Sequence, residues 1–65
     1  MGELTWRDFL LQLDGAQPAD PDQLHEVLAL LREQPIAFAD KKRALILWLD
    51  RAGLPLKGWM VEALH

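Results

Sequence analysis

Twice in this chain four large apolar residues fall at positions i, i+3, i+4 and i+7: Trp6, Phe9, Leu10 and Leu13, then Leu24, Val27, Leu28 and Leu31. On a coil of 3.6 residues per turn such a set lines one face, which must be buried against another element. A third segment, Ala44 to Leu49, is apolar almost all the way round; Leu45, Trp48, Leu49 and Ala52 form its best stripe. This pattern belongs to the central helix of a small bundle. The 65 residues include no cysteine, which excludes disulfides and cysteine-rich zinc sites, so stability has to come from a packed core, oligomerisation or a partner. A chain this short removes only about 60% of its unfolded surface from water, and efficient packing is therefore required of it. The expected fold is all-α: one domain over 1–65, a compact bundle of three main helices with a short fourth at the C-terminal end.

Local signals set the helix ends. Thr5 is placed to cap a helix over about 6–14, with Asp8 as an imperfect capping-box partner and Leu4 and Phe9 at the staple positions. Gly15 stops it. Asp20-Pro21-Asp22-Gln23 opens a second helix, about 21–34: Asp20 as N-cap, Pro21 where a missing amide costs nothing, and Gln23 at the reciprocal capping position. Pro35 ends it. The next start is ambiguous: a helix from Pro35 or Ile36 competes with a packed connection Ile36-Ala37-Phe38-Ala39 followed by an Asp40 cap and a helix over about 41–52. The second is preferred. Gly53 after Arg51 reads as a left-handed C-cap, and a last short helix, about 57–64, sets Trp59, Met60, Ala63 or Leu64 against the others despite Gly58. The predicted core is Trp6, Phe9, Leu10, Leu13, Leu24, Val27, Leu28, Leu31, Leu45, Trp48, Leu49 and Trp59.

The net charge of −3 is unevenly spread, with −5 over residues 1–35 and +2 over residues 36–65. That balance disfavours broad attraction to nucleic acid, which depends on many Lys or Arg contacts to phosphate. Met1-Gly2-Glu3 leads into mixed polar and apolar residues rather than the apolar core of a secretory leader, and Trp6 stands where an N-myristoylation signal wants Ser or Thr. The longest apolar run, Ala44 to Leu49, is far short of a membrane span. A cytoplasmic setting without membrane contact is expected.

Catalytic chemistry is poorly supplied. Serine is absent, and the single threonine is best used as a cap. The helix-start acids Asp8, Asp20, Asp22 and Asp40 have sufficient roles against helix dipoles. His25, three residues after Asp22, lacks the further ligands a stable metal site needs, and His65 is expected to fray at the terminus. No glycine-rich phosphate loop occurs. The expectation is a non-enzymatic protein that takes no cofactor and no metal.

Surplus apolar surface and one basic cluster are left over. Leu11, Leu30 and Leu47 fall off the cleanest stripes, as do Ile46 and Met60, while Lys41, Lys42 and Arg43 concentrate positive charge near the start of the central helix. Leu11, Leu30 and Leu47 with Lys41, Lys42 and Arg43 are the candidate partner-binding set, and they point to a protein–protein interaction or regulatory module whose partner is another protein or a second copy of the chain. The alternative is a nucleic-acid-associated regulator using residues 45–64 as a degenerate helix-turn-helix. That segment has few of the outward Arg, Lys, Asn or Gln side chains that base readout wants.

Overall fold

The structure, a computed structural model, describes residues 3–65; the leader and lipid-anchor readings of Met1 and Gly2 fall outside them. Among the described residues there are four α-helices and no strand: α1 (Trp6–Leu13), α2 (Leu24–Glu33), α3 (Phe38–Ala52) and α4 (Gly58–Glu62), with a 3-10 turn over Pro21–Gln23 leading into α2. Helix α3 is central, packing on both α1 and α2. The Cα radius of gyration, 10.7 Å, equals the value of about 10.7 Å at which a chain of this length closes fully on itself. No helix among the described residues is long and apolar enough to cross a membrane.

The helix ends are built by short-range chemistry. Thr5 Oγ1 accepts the Asp8 amide at 3.1 Å, and Asp20 Oδ1 accepts the Asp22 amide at 2.9 Å. Both α1 and α3 end in Schellman geometry at a left-handed glycine. Gly15 (φ +82°) donates to the Gln12 carbonyl and Ala16 to Leu11; Gly53 (φ +72°) donates to Asp50 and Leu54 to Leu49. Leu54, beyond the second of these glycines, packs against the core and completes the motif's apolar contact.

Four local expectations are corrected. Helix α3 begins at Phe38 rather than Lys41: Ala37 is its N-cap, and the Asp40 and Lys41 amides both donate to the Ala37 carbonyl at 3.0 Å. Asp40 therefore sits inside the first turn, where its charge favours the helix dipole without capping. Phe38 anchors the earlier start by stacking on His65, ring centroids 4.2 Å apart, so His65 has a packing partner where fraying was expected. Gln23 does not close a capping box; its Oε1 accepts instead from Gln12 Nε2 at 3.1 Å. Pro21–Gln23 is 3-10, and α2 proper starts at Leu24.

The core consists of Leu4, Phe9, Val27, Leu28, Leu31, Leu45, Trp48, Leu49, Met60 and Leu64, with Trp6, Leu13 and Leu24 half-buried against it. Two predicted core residues lie outside. Leu10 is 42% exposed because α1 turns Phe9 and Gln12 inward, which leaves Leu10 about 100° round the helix on the far side of Phe9. Trp59 is 49% exposed because Met60 on the short α4 and Leu64 just beyond its end, four residues apart, claim the inner side; its ring lies beside His25. The buried polar residue is Gln12, 4% exposed: its Oε1 accepts from Trp48 Nε1 and its Nε2 donates to Gln23. This relay ties α3, α1 and the 3-10 turn together and leaves no buried side-chain polar atom unpaired among the described residues.

Candidate interaction surface

The candidate partner residues lie on three helices and differ in access. Leu11 on α1 is half-buried. Leu30 on α2 is half-buried, packs against the core, and also lines a groove. Leu47 on α3 is 53% exposed, and Ile46 beside it is exposed as well. The three leucines thus come from three different helices, and Leu47 alone among them is fully exposed.

The basic cluster divides in the same way. Because α3 begins three residues earlier than expected, Lys41-Lys42-Arg43 sits on its second turn. Lys41 is half-buried and its Nζ donates to the Arg32 carbonyl at 2.8 Å, in the last turn of α2. A cation there satisfies an orphan carbonyl and opposes the negative end of the helix dipole, so Lys41 has a structural role. Lys42 and Arg43 remain exposed. Each stands one turn before an exposed aliphatic residue, Lys42 before Ile46 and Arg43 before Leu47, so α3 presents two adjacent cation–aliphatic rows on its outer side.

A second surface escaped the sequence reading. Glu26, Ala29, Leu30 and Glu33 repeat the i, i+3, i+4, i+7 spacing on α2, displaced from the buried stripe Leu24, Val27, Leu28 and Leu31. With Glu3 and Leu4 from the segment before α1 they line a groove of about 470 Å³. The Leu4 amide donates to Glu26 Oε2 at 3.0 Å and holds the two walls together. The groove therefore has an aliphatic floor between three carboxylates. Its signal was present in the sequence as a mixed acid–aliphatic stripe, but only the placement of residues 3 and 4 against α2 makes it concave.

Histidine and acid chemistry do not converge anywhere. His25 is exposed beside the Trp59 ring, centroids 6.0 Å apart, and no three His, Asp or Glu side chains among the described residues are grouped to hold a metal ion. Helix α4, the segment a helix-turn-helix would insert into a groove, spans five residues and exposes Gly58, Trp59 and Glu62. Compared with protein-family models, curated proteins and solved structures, the chain matches none.

Proposed function

We propose that this protein is a non-enzymatic protein–protein interaction or regulatory module. The observation that carries the reading is the amount of large apolar surface left outside a complete core: Leu10, Ile46, Leu47, Leu56 and Trp59 are each more than 40% exposed. Single exposed apolar residues are ordinary, but five on a chain with 4431 Å² of total surface are a large share, and aromatic and aliphatic side chains of this kind anchor interfaces. Several polar groups, by contrast, are taken up by caps, the Gln12 relay and the Lys41–Arg32 contact. The nucleic-acid alternative is less well supported, since α4 turns out a tryptophan and a glutamate rather than base-reading side chains.

The test is affinity capture from the native source with the wild-type chain and with Leu47→Ser and Trp59→Ser, each checked for native helicity. Proteins retained by the wild type and lost with either variant are the expected result. A wild-type chain that retains no protein and is also monomeric overturns the reading. So does retention of the same proteins by every variant that removes an exposed apolar group.

A further inference from the structure

We infer that the glutamate-lined groove on α2 receives the cation–aliphatic surface of α3 from a second copy of the chain. This inference rests on the interaction reading above and names its partner. The two surfaces are complementary in charge and in shape of pattern. The groove offers Glu3, Glu26 and Glu33 around Ala29 and Leu30; the α3 surface offers Lys42 and Arg43 with Ile46 and Leu47 one turn further on. Glu26 and Glu33 are separated by about 10 Å along α2, and Lys42 and Leu47 by about 7.5 Å along α3, at 1.5 Å per residue. The α3 row therefore fits within the length of the groove, with its cations against the carboxylates and Leu47 over the aliphatic floor.

Other charges refine the register. Asp40 and Asp50 flank the α3 rows on either side along the helix, so the positive charge is confined to the turn holding Lys42 and Arg43, and a slide of one turn sets an aspartate against a glutamate. Lys41 is withheld from the contact by the Arg32 carbonyl. Glu26 already accepts the Leu4 amide, whereas Glu3 and Glu33 accept no hydrogen bond among the described residues and are the carboxylates that meet the incoming cations. The uneven charge of the chain, −5 over residues 1–35 and +2 over residues 36–65, favours the same alignment of unlike halves. Because groove and row lie on different helices the contact is between unlike surfaces; it closes as a pair or ring, or propagates, according to the angle it sets. The groove is lined by six residues, against about 20 to 30 per side in a stable standard interface, so the association is weak and salt-sensitive.

Sedimentation equilibrium from micromolar to millimolar protein, at low and high salt, tests it. The wild type gains mass with concentration at low salt, and high salt weakens the association at least about tenfold. Arg43→Glu and Glu33→Lys, both at exposed positions, each abolish the gain, and mixing the two variants restores it. Leu47→Ser weakens it without changing the salt dependence. Far-UV circular dichroism checks each fold; should a reversal unfold the chain, the salt series on the wild type and Leu47→Ser decide the matter. A wild type that stays monomeric at low salt, association that strengthens with salt, or a mixture no more associated than its components overturns the contact. The first of these leaves a foreign partner captured through the exposed apolar residues intact, so this contact and the broader reading fail separately.

Discussion

Of the three tryptophans, Trp48 alone is completely buried, and its indole N–H meets a side-chain acceptor in Gln12. A buried indole donor without a partner is costly, and this requirement draws a glutamine into a core otherwise built of aliphatic and aromatic residues. Trp48→Ala is expected to destabilise the domain by about 3 to 5 kcal/mol, read from urea or thermal unfolding, enough to unfold so small a chain. Gln12→Leu keeps the volume but strands the Trp48 donor, and costs about 1 to 3 kcal/mol in the same measurement. A stability equal to wild type in that variant shows the relay to be dispensable. Sequence reading placed Trp48 inside but gave Gln12 no role. The missing clue was that a buried Trp must find an acceptor, and periodicity alone does not say which residue supplies it. Gly15 is a further single-residue constraint. Its φ of +82° and the Arg51 guanidinium nitrogen 3.0 Å from where a Cβ would stand make Gly15→Ala unfavourable, by about 1 to 2 kcal/mol for the left-handed backbone alone.

At the scale of the element, helix starts and stops were mostly legible because capping is a local matter. Thr5, Asp20, Gly15 and Gly53 act within four residues of themselves, and the bonds they make follow from their own side chains or from the lack of one. Asp20→Ala should cost about 1 kcal/mol through loss of the Asp22 amide's acceptor, measurable as a lower urea midpoint with unchanged m-value. The start of α3 was misplaced for the opposite reason. Asp40 is the better local cap, but Phe38 finds His65 from the far end of the chain, and that stack carries the helix back to Phe38. Phe38→Ala is expected to fray α3 toward Lys41, seen as faster amide exchange of the first turn with little change at Leu45 to Leu49. The end of α2 depends similarly on Lys41, whose bond to the Arg32 carbonyl reaches across the Pro35 connection.

At the scale of the molecule, the described residues enclose a core of ten side chains and leave five large apolar groups more than 40% exposed, among them Leu10 and Trp59, which helical spacing alone would put inside. A helix can bury only one face against its neighbours, and helices this short have too little surface to cover every stripe. Leu47→Ser is accordingly expected to leave the unfolding midpoint nearly unchanged while reducing association, whereas a large loss of stability would show Leu47 to be part of the packing. By itself the amino-acid sequence determined the all-α class, the number of helices, the Thr5 and Asp20 caps, the glycine stops and most of the inner stripes, because these depend on spacing and on neighbours a few residues away. Tertiary structure decided the rotation of α1 about Phe9 and Gln12, the early start of α3, the division of labour between Lys41 and its two basic neighbours, and the concavity of the glutamate groove. Each of those depends on two segments distant in the chain meeting in space, where a donor must find its acceptor and one apolar face displaces another from a core of limited size.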